Sequence, residues 1–252
     1  VDSGIYDVTL IIGHLGGQVR DFCKSYSNIN FLFFNQEEPK GLGHAIFQGL
    51  EDTNEPILIV LGDSILDLNY LDLLSSKNSI LGVYRVSDPE RFGIVEMDSN
   101  RIINIIEKPD KPISNLALIG IYFLSSQKDL MNSIKYLITN QIMTKNEYQL
   151  TDALQLMVKE GHLFEILEID ECFDCGLKET LLLTNKILLE RKKCNYIDSS
   201  AIIKNSDLKN SNISNNTTVI NCSLNNVIAL PGSRIVNQKL QNIIVGFDEC
   251  IE

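Results

Sequence analysis

Short apolar runs separated by amphipathic stretches fill most of the chain. Asp7 to Ile12 is rich in β-branched residues and precedes Gly13 and a helical stretch around Gln18 to Ser25. Phe31 to Phe34 leads to a helix from Ala45 to Leu50. Ile57 to Leu61 is apolar at every position, the pattern of a strand buried on both faces of a sheet. A Leu-rich helix from Leu68 to Leu74 is followed by strands over Ser79 to Val86, Gly93 to Met97, Arg101 to Glu107 and Leu116 to Leu124. Asp129 to Ile138 and Leu150 to Lys159 read as amphipathic helices, Phe164 to Ile169 as a strand running to Asp174, and Lys178 to Lys193 as a long helix. This alternation predicts an α/β fold with a mainly parallel central sheet and flanking helices. In such sheets, ligands bind just beyond the carboxyl ends of the strands.

From about Ser199 the texture changes to Asn, Ser and isolated aliphatics. Ile202, Leu208, Ile213, Val219 and Leu224 recur at intervals of six, five, six and five. The spacing predicts a left-handed β-helix, with one inward aliphatic per short face and Asn at the tight corners. A disordered polar tail is the competing reading; the regular aliphatics and low charge favour the coil. Two domains follow, residues 1–196 and 197–252.

Composition narrows the partners. A net charge of −11 argues against a nucleic-acid surface, though not against nucleotides, whose phosphates need only a few Lys, backbone N–H groups and a divalent cation. No apolar run approaches the roughly 20 residues of a membrane span. The six Cys have no regular spacing, and the Cys172/Cys175 pair has no partner cluster, so reduced thiols of a cytoplasmic protein are expected. The chain opens Val1-Asp2-Ser3, without an initiator Met, and reads as starting inside a domain.

The candidate chemistry stands at strand ends. QEEPKGLGHA, Gln36 to Ala45, turns through Pro39, Gly41 and Gly43 into a helix N-terminus, which brings backbone N–H groups and a positive dipole end together. Gln36 carries an amide that can read the edge of a base. Gly62-Asp63 follows one strand, and Gly62 admits a ligand to the backbone while Asp63 offers a hard oxygen to a divalent cation. Asp174, with Gly176 two residues on, supplies a second carboxylate, and Glu107-Lys108-Pro109 pairs an acceptor for sugar hydroxyls with a cation for phosphate. Each also has a structural reading: a connecting loop, a turn residue or helix N-cap, a solvated ion pair.

In this order the segments resemble the sugar-1-phosphate nucleotidylyltransferases, and most closely the long-form glucose-1-phosphate thymidylyltransferases. VTLIIGHLGGQV resembles the family's strand and glycine turn, QEEPKGLGHA its base-binding loop and LGDS its metal-binding Gly-Asp. VSDPERFGIVEMD and IIEKPDKPISNLALIGIYFL look like its sugar-binding half, NEYQLTDA and FDCG like the segments completing its phosphate and metal sites, and SLNNVIALPGSRI like its β-helix. The resemblance implies a Rossmann-like nucleotidyltransferase fold with a short left-handed β-helix. It places Gln36, Pro39, Gly41, Gly62, Gly93, Glu107, Asn115, Gly120, Tyr122 and Glu147 on substrate, Lys108 and Lys145 on the sugar phosphate, and Asp63 and Asp174 on Mg²⁺. The implied reaction joins a nucleoside triphosphate, dTTP, to a sugar 1-phosphate, glucose 1-phosphate, in a cytoplasmic homo-oligomer.

Two departures accompany the resemblance. The family's N-terminal Gly-rich loop with its Thr-Arg pair, which wraps the triphosphate, has no counterpart, so the chain as given is expected to be impaired in turnover. Lys145-Asn146-Glu147 stands where the family has Arg-Gly-Glu, replacing a bidentate fork with a point charge. The implied chemistry is in-line attack of an already anionic phosphate oxygen on the α-phosphorus, which asks for positioning and charge neutralisation rather than a protein nucleophile. A catalytically silent nucleotide-sugar-binding subunit is the alternative, and an acyltransferase built on the short coil a weaker third.

Overall fold

The computed structural model describes residues 4–66, 68–99 and 101–252. The strands are β1 (Asp7–Ile12), β2 (Asn30–Asn35), β3 (Ile57–Val60), β4 (Ser64–Leu66), β5 (Ser79–Arg85), β6 (Gly93–Asp98), β7 (Arg101–Glu107), β8 (Leu116–Leu124), β9 (Phe164–Glu168) and β10 (Cys172–Asp174), followed by those of a C-terminal coil. The helices are α1 (Gly16–Cys23), α2 (Leu42–Phe47), α3 (Tyr70–Leu74), α4 (Gln127–Thr139), α5 (Leu150–Lys159) and α6 (Lys178–Lys192). The chain separates into two compact units, Val1–Leu61 with Asp67–Cys172, and Gly62–Leu66 with Phe173–Glu252. Among the described residues no helix is long and apolar enough to cross a membrane, and none of the six cysteines is in a disulfide.

The first unit is mixed rather than mainly parallel, which corrects the sequence expectation. Its six-stranded sheet runs β7-β6-β8-β5-β9, with β3 also on β8. β8 is antiparallel to β3, β5 and β6, β6 is antiparallel to β7, and only β5 and β9 run parallel. All nine residues of β8 are buried. An apolar run records burial, not strand direction, so β8 looked the same in sequence as a parallel core strand. β1 and β2 form a separate parallel pair around α1.

A second correction concerns β3. Expected to be buried on both faces, it pairs among the described residues only with β8, and Val60 is 44% exposed. Leu32 and Phe34 of β2 are exposed as well. The core lies between the six-stranded sheet and helices α2, α4 and α5, where Leu81, Val83, Leu124, Leu130, Ile134, Leu150 and Leu154 are almost wholly buried. α4 begins at a Ser126 N-cap that accepts from Asp129 N–H.

The second unit is a three-faced parallel coil preceded by α6 and the β4–β10 ladder. Ile202 pairs with Thr218, Thr218 with Arg234 and Arg234 with Cys250, a strict 16-residue register that Asn221 and Asn237 repeat as a side-chain hydrogen bond. The inward aliphatics are Ile203, Leu208, Ile213, Val219, Leu224, Ala229, Ile235, Leu240, Val245 and Ile251. The rhythm is therefore five, five and six, and Ile202, half exposed, is one residue out of phase. Asn205, Asn210, Asn216, Asn221, Asn226, Asn237 and Asn242 all have φ between 48° and 56°. Asn tolerates this left-handed conformation better than other side chains, as the corners require.

Candidate active site

In the first unit, Gln36 sits just beyond β2 and lines an open cleft of about 500 Å³ with Ile12, Gly13, His14, Arg20 and Asn35. The loop that follows is shaped by close packing. Gly41 has φ 103° and ψ 170°, a region almost exclusive to glycine. A Cβ there would lie 2.7 Å from the Glu147 Cβ and 2.8 Å from the Tyr148 carbonyl oxygen. Gly43 N–H donates to Tyr148 O at 2.8 Å, and Tyr148 N–H donates to Lys40 O at 2.9 Å. The Gln36 Nε2 group donates to Gly41 O at 3.2 Å and reaches His44 Nδ1 at 3.0 Å. Pro39 is on the exposed stretch of this loop, beside the Glu38–Lys40 ion pair.

A second cluster of the same unit gathers around Glu107. Gly93 and Glu107 face each other across β6 and β7. A Cβ at Gly93 would come 2.5 Å from Thr151 Cγ2 and 3.1 Å from Glu107 Oε2, so only glycine fits. Thr151 Oγ1 donates to Glu107 Oε2 at 2.9 Å, and Lys108 Nζ lies 3.7 Å from Oε1. Burial pushes the Glu107 carboxyl above its usual range, opposed by Thr151 and Lys108. Tyr122 is buried beside it; burial, then the Glu107 charge, push its phenol up, while its bond to the Gly120 backbone pulls the other way. Asp152 has a buried Oδ2 with no hydrogen-bond partner, and burial raises its carboxyl too.

Asn115 and Lys145 are engaged elsewhere. Asn115 Oδ1 accepts from Arg85 Nη1 at 3.2 Å, and Arg85 Nε is 2.7 Å from Glu168 Oε1. Lys145 and Asn146, both at positive φ, form the tip of a two-residue turn closed by Thr144 and Glu147, and Lys145 Nζ is 3.6 Å from the exposed Asp110. Glu147 Oε2 accepts from Gln149 Nε2 at 3.0 Å.

In the second unit, pairing of β4 with β10 brings together two aspartates far apart in sequence. Cys175 N–H donates to Asp63 O at 2.7 Å, and Gly176 N–H to Asp174 Oδ1 at 2.8 Å. A Cβ on Gly176 would lie 3.0 Å from Asp63 Oδ2 and 3.1 Å from Asp174 Oδ1. The two carboxylates thus converge over a glycine whose missing methyl leaves their oxygens clear. Among the described residues no cluster of three or more His, Cys, Asp or Glu has metal-binding geometry.

Residues 4–191 match the Nucleotidyl transferase family. The chain belongs to that family. The chain is 30% identical over 206 residues, 76% of its own length and 55% of the relative's, to the low-salt glycan biosynthesis nucleotidyltransferase of Haloferax volcanii. It spans about half the length of the curated relatives it matches. Its fold is similar to that of a Bacillus anthracis protein assigned as a glucose-1-phosphate thymidylyltransferase and solved with sucrose (TM-score 0.62, 24% identity, 74% of this chain and 77% of that one). A UDP-glucose pyrophosphorylase bound to UDP-glucose has the same fold (TM-score 0.61, 22% identity, 75% and 83%).

His44, Thr151, Asp152 and Tyr148 belong to these clusters, yet sequence reading gave none of them a role. His44 stands inside QEEPKGLGHA and the other three inside NEYQLTDA. Their presence in those segments was the available signal; their direction was not. Arg20, whose guanidinium lies 4.5 Å over the Phe33 ring, had no signal at all.

Proposed function

We propose that this nucleotidyltransferase joins a nucleoside triphosphate to a sugar 1-phosphate and releases pyrophosphate, with dTTP and glucose 1-phosphate as the expected pair. The observation that carries the reading is the convergence of Asp63 and Asp174 over Gly176. Two carboxylates whose oxygens both lie about 3 Å from the point a Gly176 methyl would occupy suit Mg²⁺, which takes one or two carboxylates and fills its remaining positions with water and substrate phosphate. When bound, Mg²⁺ offsets charge on the reacting phosphates. The remaining work falls to the chain's own residues. Gln36 and Gly41 hold the base. Glu107, fixed by Thr151, accepts from sugar hydroxyls beside Gly93, Gly120 and Tyr122. Lys108, and Lys145 at its turn, offset the sugar phosphate. The attacking oxygen is already anionic, so orientation and neutralisation supply the rate.

The names of the relatives fit this reading, since the Haloferax protein is named for nucleotidyl transfer in glycan biosynthesis. Free cysteines are compatible with a cytoplasmic enzyme, and a homo-oligomer with a left-handed coil is the expected assembly. The test is pyrophosphate release by the native full-length protein with each nucleoside triphosphate, glucose 1-phosphate and Mg²⁺. Release should require all three components. Binding of nucleotide-sugar without release under any combination would favour a regulatory subunit instead.

A further inference from the structure

Lys145 and Asn146 stand at φ 54° and 66°, two left-handed residues in a row at the tip of the Thr144–Glu147 turn. That conformation is unfavourable for a lysine, and it persists only where its surroundings hold it. Two backbone bonds close the turn, Thr144 N–H to Glu147 O at 3.0 Å and Glu147 N–H to Thr144 O at 3.1 Å. The buried Gln149 amide braces it, donating to Glu147 Oε2 at 3.0 Å and to Thr144 O at 3.4 Å. A third tie runs to α5, where the Thr144 hydroxyl donates to the carboxyl of Asp152 in the first helical turn.

Asp152 makes this tie at a cost. Its Oδ2 is sealed from solvent without a partner, the only such side-chain atom among the described residues. Its charge also acts against Glu107, the carboxylate that the adjacent Thr151 holds. A buried carboxylate with so few donors destabilises a fold relative to a neutral residue of the same shape. Packing alone gives no reason for an acid here; the turn does.

We propose that Asp152 is a positioning residue that acts through Thr144, fixing the left-handed turn so that Lys145 is aimed at the sugar phosphate. This rests on the reading of Lys145 as a phosphate-facing residue. Lys145 is half exposed, with its Nζ 3.6 Å from the exposed Asp110. On a loosened turn it would occupy the productive position for only part of the time, and affinity falls by that fraction. The hydrogen bond to Thr144, rather than the charge of Asp152, supplies the hold.

Two measurements on the full-length protein test this. Amide hydrogen exchange at Glu147 reads the turn without any substrate. Asp152→Ala and Thr144→Val should each speed it about tenfold. Asp152→Asn, whose Oδ1 still accepts, and Thr144→Ser, which keeps the hydroxyl, should match the wild type. Calorimetry with glucose 1-phosphate should show affinity falling about fivefold in Asp152→Ala and in Thr144→Val, and no further when the two are combined, since each removes the same bond. Exchange at the wild-type rate in Asp152→Ala, an equal loss in Asp152→Asn, or additive losses in the double variant overturns the role of Asp152. Glucose 1-phosphate bound equally by Lys145→Ala and the wild type defeats the phosphate reading of Lys145 instead, whatever exchange at Glu147 shows.

Discussion

The coil and the strand-end clusters use polar residues in opposite ways. In the coil, Asn recurs at corners of one conformation and its side chains pair with their neighbours, Asn221 with Asn237 at 3.1 Å and Asn226 with Asn242 at 2.9 Å, while Asn185 of α6 donates to Asn226 at 3.1 Å. At the strand ends, carboxylates occur once each, and Asp63 and Asp174 converge without neutralising one another. Paired polar groups stabilise; converging like charges cost stability and need a ligand to offset them.

The largest effect is expected at the aspartates. Asp63→Asn and Asp174→Asn should each lower Mg²⁺-dependent pyrophosphate release more than about 100-fold, roughly 2.7 kcal/mol in barrier. Neither should collapse the fold, because each substitution is nearly constant in volume. Turnover within about tenfold of wild type, or a collapse of the fold, would erase the distinction.

Next in size comes the coil core. Leu224, 1% exposed, packs inside the coil, and Leu224→Ala should cost about 2–4 kcal/mol by denaturant titration. A loss under about 1 kcal/mol would mean the coil contributes little to the unfolding transition.

A smaller effect is expected at Asn226. It is buried, has φ 53°, accepts from Asn185 and donates to Asn242. Asn226→Ala should cost about 2 kcal/mol, from left-handed strain and broken hydrogen bonds together. Asn216→Ala, at an exposed corner, should cost nearer 1 kcal/mol and Asn216→Gly almost nothing. Equal losses at both corners would make backbone conformation the whole effect.

Glu107 gives the smallest effect on stability. Its folded pKa is raised, so the folded protein holds this proton more tightly than the unfolded chain does. The stability linked to it is present below the ordinary value of 4.5 and is lost as pH rises through the folded value. Glu107→Gln should therefore raise the melting temperature slightly at pH 7 and leave it unchanged in acid. It should also raise KM for sugar 1-phosphate while leaving nucleotide affinity unchanged. A lower melting temperature at pH 7 would show that the Glu107 charge stabilises the fold.

Much of the α/β unit was legible. Asp7–Ile12, Arg101–Glu107, Leu116–Leu124 and Leu150–Lys159 have the bounds that their hydrophobic pattern predicts. The coil's existence was legible too, though its phase slipped at Ile202, because Ile202 and Ile203 are adjacent aliphatics and only one can point inward. The carboxylates were singled out by their place after strands. The partners that orient them, Thr151 for Glu107 and Gly176 between the aspartates, were not, because those contacts depend on side-chain direction.

The sequence by itself determined what is local. Strand and helix runs follow from apolar spacing, and the coil corners follow from Asn, whose tolerance of positive φ is a property of the single residue. Tertiary structure alone decided which edges pair. It made β8 antiparallel to three neighbours, left Val60 of β3 exposed, and carried Asp174 to Asp63 across more than a hundred residues of intervening chain. Strand direction and side-chain convergence depend on the loop closures and packing of the whole chain, and no local pattern of residues encodes them.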